Sequence, residues 1–499
     1  MRSKATVAAG HPLVVEAAIE ILRQGGNAFD AAVAGGFAAC VAEPLLTGLG
    51  GGGFLLARTE TGREVLYDFF VDTPGRGLGG AILEPHFFPV TVQFAGSAQD
   101  FNIGLGSAAV PGTLRGFLHV HEQLGCLPLA AIVEPATALA RRGVIVNHHQ
   151  AYVFALLRPI VTISRAGRAL FAPKGDVPSA GELLTNPLLA DFLEGLAAHP
   201  EKTFYCGNLA GRIDADMEAG LGLLTAEDLA AYRVIERQPL AINYRGRRLL
   251  TNPPPSFGGS LIAVMLRLLD EFPLRDCSWG SPSHLLTLAG VMAEVDRQRD
   301  GGGSFDAAWH KKAAGRVRLF SRGTTHISVA DAAGNVAAMT ASNGEGSGYL
   351  IPGTGIMLNN MMGEDDLHPE GFHASPAGKR VASMMAPTLV EKEGRSELVL
   401  GSGGSKRIRS AIVQVISNFI DFGLDVENAV RAPRLHWDGS VLQLEPGFAS
   451  QAAEALRRQW PVNIWEEKEI YFGGVHAVTD EGQGAGDPRR GGAAAFLAE

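Results

Sequence analysis

Apolar residues recur at helical spacing near the start of the chain. Val15, Ile19 and Leu22 form one such face, and Gly25-Gly26 ends the run. A second segment, 28–42, consists mostly of alanine and glycine and is interrupted only by one aspartate. This pattern predicts two close-packed, buried helices at the beginning of the fold, because small residues allow helices to approach closely.

Shorter apolar runs alternate with helical patterns further along. Residues 54–57 and 65–69 are typical of paired strands joined by the turn at Thr61-Gly62. The remaining pattern predicts helices at 114–123, 130–141, 188–199, 209–219, 226–232, 259–272 and 408–422, and strands at 242–250, 324–330, 336–340, 384–390 and 397–400, with 434–444 leading to a last strand.

One stretch breaks this order. Residues 300–323 are irregular and rich in glycine, lysine and arginine, which makes them the best candidate linker in the chain. A strand is predicted to begin immediately afterwards, at Thr324, and to form a hairpin with 336–340 across a turn rich in small and polar residues.

Composition narrows the class of protein. The 499 residues are 46% hydrophobic and carry a net charge of −9, without a block of like charge, which argues against nucleic acid or an anionic membrane as partner. The four cysteines are far apart and favour free thiols. We find no export signal, and therefore expect a cytoplasmic protein. No motif implies a cofactor or a metal.

Thr324 offers the most specific chemistry. A threonine hydroxyl is a weak nucleophile, but a free α-amine on the same residue can act as its base, with a pKa near 7.7–8.0. If the chain is cut between Gly323 and Thr324, one residue supplies both groups. From the local sequence alone an ordinary strand start is the favoured interpretation, because Thr-Thr is common where strands begin.

Other motifs compete for a functional role. Gly48 to Gly53 matches the glycine pattern of dinucleotide-binding turns, but a helix precedes it and a strand follows, the reverse of the required order. Gly401 to Ser405 lacks the spacing of a nucleophile elbow or a phosphate loop. It remains a glycine turn or a source of backbone hydrogen-bond donors.

Short motifs of unusual composition follow one another along nearly the whole chain. They are His11-Pro12-Leu13, Gly25-Gly26-Asn27-Ala28, Glu43-Pro44, Gly48 to Phe54, Val110-Pro111-Gly112-Thr113, Thr225 to Tyr232, Pro253 to Ser256, Thr324-Thr325-His326, Leu358-Asn359-Asn360, Ala386-Pro387-Thr388 and Gly401 to Ser405. In this order they resemble the γ-glutamyltransferase family of the N-terminal nucleophile hydrolase superfamily.

The resemblance implies an α+β fold, a four-layer αββα sandwich, made as a proenzyme that cuts itself. The segment 1–323 would be the large chain and 324–499 the small chain, and the two would stay associated as a heterodimer or as a dimer of such heterodimers. By the same resemblance Thr324 is the nucleophile, Ser342 its hydroxyl partner, and Gly403 and Gly404 are the oxyanion donors.

The sequence departs from the family where the substrate binds. The arginine that clamps the α-carboxylate of a γ-glutamyl group is Phe70, and the serine pair is Ser383-Met384. The glutamine or glutamate after Asn-Asn is Met361, and Glu364 replaces the amine-binding aspartate. Asn343, one residue out of register, is the nearest match to the family's asparagine.

The resemblance favours one function and leaves two alternatives. The favoured function is a γ-glutamyltransferase that acts on glutathione-like amides and passes the acyl group to water or an amine. The second is an acylase for another N-acyl compound, such as a glutaryl β-lactam. The third is a processed, non-catalytic binding protein. Phenylalanine cannot replace a bidentate arginine, although Arg76 or Arg380 could supply the missing cation.

Overall fold

The structure, a computed structural model, describes residues 5–78, 84–94, 97–200, 203–301, 323–368 and 370–497. The helices in these ranges are α1 (Pro12–Arg23), α2 (Ala28–Ala42), α3 (Thr113–Leu124), α4 (Leu129–Arg142), α5 (His148–Val161), α6 (Arg165–Phe171), α7 (Pro187–Ala198), α8 (Gly207–Ala219), α9 (Ala226–Ala231), α10 (Phe257–Asp270), α11 (Pro282–Gly301), α12 (Arg407–Ile420), α13 (Val426–Arg431) and α14 (Ser450–Arg457).

The first half contributes the strands β1 (Ala5–Ala9), β2 (Gly52–Arg58), β3 (Glu64–Phe69), β4 (Phe88–Phe94), β5 (Ser97–Ile103), β6 (Val144–Ile145), β7 (Leu183–Leu184), β8 (Ile235–Arg237), β9 (Leu240–Tyr244) and β10 (Arg247–Thr251). The second half contributes β11 (Thr325–Ala330), β12 (Val336–Ser342), β13 (Leu350–Ile351), β14 (Ile356–Met357), β15 (Thr388–Lys392), β16 (Arg395–Gly403), β17 (Leu435–Trp437), β18 (Leu442–Leu444), β19 (Val462–Ile464), β20 (Gly474–Val478), β21 (Gly484–Ala485) and β22 (Ala493–Leu497).

Two antiparallel sheets pack against each other in the centre of the molecule. One has the order β22-β1-β11-β12-β2-β3-β8 and the other β21-β20-β16-β15-β10-β9. Helices α1, α2 and α3 cover the outer face of the first sheet, and α10, α12 and α13 cover that of the second. The layers are therefore helix, sheet, sheet and helix, which confirms the predicted αββα sandwich.

The opening helices show how the sequence produces these layers. Every residue of α2 is buried, because this helix packs on β11 and β12 of the first sheet and is surrounded by α1, α3 and α4. Its small residues permit that close packing. A Cβ added at Gly36 would lie 2.5 Å from the Phe117 ring of α3. A capping box of Asn27 and Asp30 fixes where α2 begins.

Strand register brings distant residues to one end of the first sheet. Thr325 pairs with Ala341 on β12, and Gly53 on β2 pairs with both Ala341 and Phe69. The residues one step further towards the same end are Thr324, Ser342, Gly52 and Phe70, on four adjacent strands. The end of β16 in the facing sheet completes this corner.

Some sequence predictions were wrong. Segment 242–250 forms two strands, because Arg245 and Gly246 turn the chain with positive φ angles of 51° and 76°. A strand, β1, precedes the two opening helices, and 434–444 does not lead to the last strand, since β19 to β22 follow. Asp300 still belongs to α11, and the rest of the predicted linker, 302–322, lies outside the described residues.

Candidate active site

Thr324 lies where the predicted cleavage would occur, just before β11. The residue is 5% exposed, and its Oγ1 donates a hydrogen bond of 2.7 Å to the carbonyl oxygen of Gly323. The hydroxyl is therefore already in contact with the carbonyl group of the predicted scissile peptide bond. Gly323 itself fits closely, since an added Cβ would lie 2.4 Å from the carbonyl oxygen of Gly344 and 2.7 Å from that of Leu45.

Ser342, at the end of β12, is the second hydroxyl of this corner. Its Oγ donates a short hydrogen bond to the same Gly323 carbonyl oxygen and accepts one of 3.0 Å from the backbone N–H of Gly344. Two hydroxyl donors thus point at one carbonyl oxygen. Such donors polarise a carbonyl group and stabilise the negative charge that develops on its oxygen during nucleophilic attack.

Gly403 and Gly404 approach Thr324 from the facing sheet. A Cβ added at Gly403 would lie only 2.4 Å from the carbonyl oxygen of Thr324, so no other residue fits without backbone movement. Gly404 has a φ of 122°, in a region that favours glycine. The structure therefore brings together Thr324, Ser342 and the glycine pair, and the glycine run of β16 is a point of close approach between the sheets.

Arg490 also reaches this corner, although the sequence analysis did not single it out. Its Nη1 donates a hydrogen bond of 3.0 Å to the carbonyl oxygen of Thr324. The side chain is 5% exposed, and within the described part of the chain its Nε and Nη2 atoms have no hydrogen-bond partner. Burial lowers the pKa of the guanidinium to about 10, with nearby Arg407 contributing.

A buried ion network holds the segment that carries Arg490. Arg434 Nη2 lies 2.7 Å from Asp487 Oδ2, and Arg489 Nε lies 2.6 Å from Glu445 Oε1. Arg489 Nη1 also bonds Asp487 at 3.1 Å. Because Arg489 is fixed on the network side, its neighbour Arg490 faces Thr324. The cluster Asp487-Pro488-Arg489-Arg490 is the sequence signal that could have pointed to this role.

Glu43 places a carboxyl group beside Arg490. This residue ends α2 and is 4% exposed, and its Oε2 accepts a 2.9 Å hydrogen bond from the Thr325 hydroxyl. Burial raises the pKa of Glu43 to about 7, although the Thr325 hydrogen bond and the charge of Arg490 oppose the shift. Glu43 thus changes its protonation state near neutral pH, next to the predicted nucleophile.

His326 follows the nucleophile in sequence but faces the space between the sheets. Its ring nitrogens lie 2.7 Å from Thr340 Oγ1 and 2.9 Å from Ser328 Oγ. A Cβ added at Gly401 would lie 2.3 Å from the imidazole ring, so this glycine makes room for it. Burial holds the pKa of His326 well below its ordinary value, so the neutral ring is hydrogen-bonded within the first sheet and packs on Gly401 of the second.

Asn343 does not point to the Thr324 corner. Its Nδ2 donates a 3.4 Å hydrogen bond to the Met357 carbonyl oxygen, and its side chain lines a separate pocket with Cys40 and Phe171. The residue beside the corner is Gly344, whose backbone contacts Ser342 and Gly323. Asn343 is one residue away from the position at which the family has its asparagine. Successive side chains near a strand end point to opposite sides, so Asn343 points away from the corner.

Glu364 lies close to Gly344. A Cβ added at Gly344 would be 2.6 Å from Glu364 Oε1 and 2.1 Å from Asn360 Oδ1. Glu364 is 7% exposed and lies at the end of a short helical turn that contains Met361. An acidic side chain therefore borders the corner, on the side where Ser342 ends its strand.

Three of the apolar residues at predicted substrate positions belong to one hydrophobic core cluster. Phe70, Met361 and Met384 are all buried in it, and the Phe70 ring stacks on Phe54 with centroids 5.5 Å apart. Ser383 accepts a hydrogen bond from the backbone N–H of Met385, and its carbonyl oxygen binds the beginning of α10. These residues shape the wall of the corner, and none of them supplies a charge.

The two alternative cations occupy different surroundings. Arg380 is buried, with Nη1 2.6 Å from Asp68 Oδ1 and Nε 2.7 Å from Asp72 Oδ1. Arg76 is exposed. Arg380 is thus neutralised by two carboxylates of this chain, which leaves Arg490 as the buried cation nearest to Thr324 with unused donors.

The described residues contain no group of three or more histidine, cysteine, aspartate or glutamate side chains arranged to hold a metal ion. None of the described helices is long and apolar enough to cross a membrane.

Comparison with known proteins identifies the class to which this fold and site belong. The family model described as Gamma-glutamyltranspeptidase matches residues 15–314 and 303–497. A glutathione hydrolase proenzyme of Escherichia coli (strain K12) is 32% identical over 97% of this chain and 90% of its own length. An acylase ACY 1 proenzyme of Pseudomonas sp. (strain SE83) is 33% identical over 91% of this chain and 86% of its own length.

A solved structure agrees with these matches. The crystal structure of cephalosporin acylase from Bacillus halodurans superposes with a TM-score of 0.83 and 27% identity, covering 99% of this chain and 96% of that one. The chain belongs to the gamma-glutamyltranspeptidase family and is an enzyme of the N-terminal nucleophile hydrolase class.

Proposed function

We propose that this protein cuts its own Gly323–Thr324 bond and then hydrolyses or transfers an acyl group from an amide substrate through Thr324. The observation that carries the proposal is the double contact at the Gly323 carbonyl oxygen, where the hydroxyls of Thr324 and Ser342 both donate. A peptide bond in an ordinary strand does not need two hydroxyl groups on one carbonyl oxygen. The proenzyme names of two relatives agree with a processed chain.

Self-cleavage would proceed by transfer of the Gly323 acyl group from nitrogen to oxygen. Thr324 Oγ1 attacks the Gly323 carbonyl carbon, the C–N bond breaks, and the Thr324 nitrogen takes a proton to become a free amine. The Ser342 hydroxyl stabilises the oxyanion in this step. Water then hydrolyses the resulting ester, which leaves a carboxylate on Gly323 and a free hydroxyl on Thr324.

The two products of cleavage would remain together, as segments 1–323 and 324–499. In the first sheet β1, β2, β3 and β8 come from the first segment and β11, β12 and β22 from the second. In the second sheet β9 and β10 come from the first segment and β15, β16, β20 and β21 from the second, and the two groups meet at the β10–β15 pair. Separation would break the β1–β11, β1–β22, β2–β12 and β10–β15 pairings and expose both cores.

The same groups would then act on substrate. The new α-amine of Thr324 takes the proton of its hydroxyl, and the oxygen attacks the amide carbonyl carbon. Gly403 and Gly404 supply backbone donors for the oxyanion, the amine returns the proton to the leaving nitrogen, and water or an amine resolves the acyl-enzyme. Removal of the Thr324 hydroxyl should stop both self-cleavage and turnover, whereas removal of the Ser342 hydroxyl should slow self-cleavage.

The acyl donor is the part of the function on which the chain departs from its family. We propose a glutaryl-like acyl group without an α-amino group as the preferred donor. Phe70, Met361 and Met384 are buried apolar residues, so they offer no charged or hydrogen-bonding partner to the α-ammonium group, which a γ-glutamyl donor carries and a glutaryl donor lacks. A relative named as an acylase and a solved cephalosporin acylase structure support an acylase activity.

A γ-glutamyl amide such as glutathione is the second candidate donor. One observation favours it: Glu364 places an acidic group beside Gly344, where an ammonium group of the substrate could pair with it. The glutathione hydrolase relative points in the same direction.

One assay separates the two donors. Glutaryl-p-nitroanilide and γ-glutamyl-p-nitroanilide differ only by the α-amino group. The ratio of their kcat/KM values therefore measures whether the site favours or disfavours an α-amino group on the donor. We expect the glutaryl compound to be turned over at least about tenfold faster, a difference of about 1.4 kcal/mol. The opposite ratio would overturn the glutaryl assignment, and absence of turnover of any p-nitroanilide by fully cleaved protein would favour a non-catalytic binding protein.

A further inference from the structure

A pocket close to Thr324 is lined by apolar and charged residues that have no role in the reaction proposed above. In the uncut chain its cavity is small, about 30 Å³, and its lining extends from Gly10-His11 and the end of α2 to the first turns of α5. Leu45, Leu46, Val153, Phe154 and Ile470 give it an apolar wall. Arg490 and Glu43 are its charged groups near Thr324. An apolar pocket with a few placed polar groups is typical of a small-molecule site.

The pocket is continuous with the seat of the predicted scissile bond. Leu45 and Leu46 line it, and the same two residues border Gly323, whose added Cβ would lie 2.7 Å from the Leu45 carbonyl oxygen and 3.3 Å from Leu46 Cα. Departure of Gly323 after cleavage would therefore open this wall towards Thr324. A substrate acyl chain attached to Thr324 Oγ1 could then extend along Leu45 and Leu46.

Arg490 lies at the junction of the pocket and the nucleophile. Its Nη1 binds the Thr324 carbonyl oxygen, and its Nη2 lies 3.6 Å from the position of a Cβ added at Gly404. Among the described residues no carboxylate lies within 4.0 Å of this guanidinium, and Nε and Nη2 are unpartnered although they are buried. A buried guanidinium with two unpartnered nitrogen donors is costly unless a ligand pairs with it.

Glu43 does not cancel this charge fully. Its Oε2 is engaged by the Thr325 hydroxyl, and burial raises the pKa of its carboxyl to about 7, so that the group is partly neutral at physiological pH. Arg407 adds a positive charge close to Arg490 and Asp487 a negative one, but Asp487 is already paired with two arginines of the buried ion network. The local field therefore favours an anion at the unused N–H groups of Arg490.

We infer that Arg490 is a specificity-determining residue that binds the terminal carboxylate of the acyl donor in the Leu45–Phe154 pocket, in place of the cation missing at Phe70. This inference rests on the proposed function, because it concerns the donor of the Thr324 reaction. The donor class is an acyl chain with a carboxylate at its far end and an apolar middle. An arginine–carboxylate pair supplies both affinity and direction, because the guanidinium N–H groups can be shared between two oxygens.

The test compares glutaryl-p-nitroanilide with pentanoyl-p-nitroanilide, in which a methyl group replaces the carboxylate. The wild-type protein should prefer the glutaryl compound by about 10- to 100-fold in kcat/KM, as expected for a hydrogen-bonded charged pair. Arg490→Gln should reduce this preference to about one, mainly through KM, and Arg490→Lys should retain part of it. Arg76→Gln, which removes an exposed cation, should leave the preference unchanged.

Each other outcome has a defined meaning. Equal use of both compounds by the wild type, a preserved preference in Arg490→Gln, or loss of preference in Arg76→Gln would overturn the inference while leaving the Thr324 reaction intact. Absence of turnover of either compound by cleaved wild-type protein would instead contradict the proposed function. If Arg490→Gln does not fold or cleave, calorimetry on the wild type decides, since free glutarate should bind about tenfold more tightly than pentanoate.

Discussion

The hydroxyl of Ser342 donates a hydrogen bond to the carbonyl oxygen of Gly323, across the strand pair that Thr324 begins. This contact joins the end of β12 to the predicted scissile bond, and it exists in the uncut chain. Removal of one oxyanion donor typically costs about 10² to 10³ in rate. Ser342→Ala should therefore slow self-cleavage by about that factor, as measured on denaturing gels of freshly expressed protein over time.

Ser347→Ala is the matched control for that variant. Ser347 is equally buried, and its hydroxyl also donates to a backbone carbonyl oxygen, that of Leu358 at 3.0 Å. It should cleave at the wild-type rate. Equal rates for Ser342→Ala and the wild type would show that the hydroxyl contact plays no part in cleavage.

The fit of Gly403 against Thr324 leads to a second prediction. An added methyl group would lie 2.4 Å from the Thr324 carbonyl oxygen. The backbone of Gly403 cannot move away easily, because its strand is paired with β20. Gly403→Ala should push the nucleophile away from Gly323, and the chain should remain largely uncut. Gly211→Ala, in α8 with no atom within 4 Å of its added Cβ, should cleave normally and gain about 0.5–1 kcal/mol in stability. Normal cleavage of Gly403→Ala would contradict the close contact.

Glu43 gives a pH-dependent prediction for stability. Its pKa rises from an ordinary value of 4.5 to about 7 on folding, so between these values the folded chain binds more protons than the unfolded chain. Stability therefore falls as pH rises through this window, by at most about 3 kcal/mol for this group. Glu43→Gln carries no such proton, so its melting temperature relative to the wild type should rise between pH 5 and pH 8.

The exposed Glu454→Gln provides the control, because it removes the same charge from the surface of α14. Its melting temperature relative to the wild type should be almost constant over this range. Parallel curves for Glu43→Gln and the wild type would mean that Glu43 is ionised in the folded protein throughout.

Phe70 is predicted to act through packing. Its ring is buried and stacked on Phe54, so Phe70→Leu should destabilise the protein by roughly 1–2 kcal/mol without changing the ratio of glutaryl to γ-glutamyl turnover. Phe117→Leu, in the other hydrophobic core beyond the first sheet, should cost a similar amount and leave the same ratio. A tenfold change of the ratio in Phe70→Leu alone would make Phe70 a substrate-binding residue.

Much of the fold could be predicted from the sequence, because helical spacing and turn residues are local signals. The predicted helix at 130–141 corresponds to α4 at Leu129–Arg142, and the hairpin after Thr324 forms as expected. The turn that divides 242–250 into two strands could not be predicted in this way. Arg245 adopts a positive φ, which is uncommon for an arginine.

Residues of the site could be predicted only where they belong to a recognisable motif or lie close in sequence to one. Thr324, Ser342 and the Gly403-Gly404 pair meet as expected. Arg490 was missed because it lies 166 residues from Thr324 in sequence and reaches it only through strand pairing and the Asp487 ion network. The direction of the Asn343 side chain could not be predicted from the sequence. A shift of one residue at a strand end moves the side chain to the opposite face of the sheet.

The N-terminal residue of the smaller fragment in freshly purified protein tests the central claim most directly. End-sequencing and intact mass should give two fragments, with the smaller one beginning at Thr324. A single uncut chain after prolonged incubation, or a smaller fragment that begins at any other residue, would contradict the account of Thr324 as a self-generated N-terminal nucleophile.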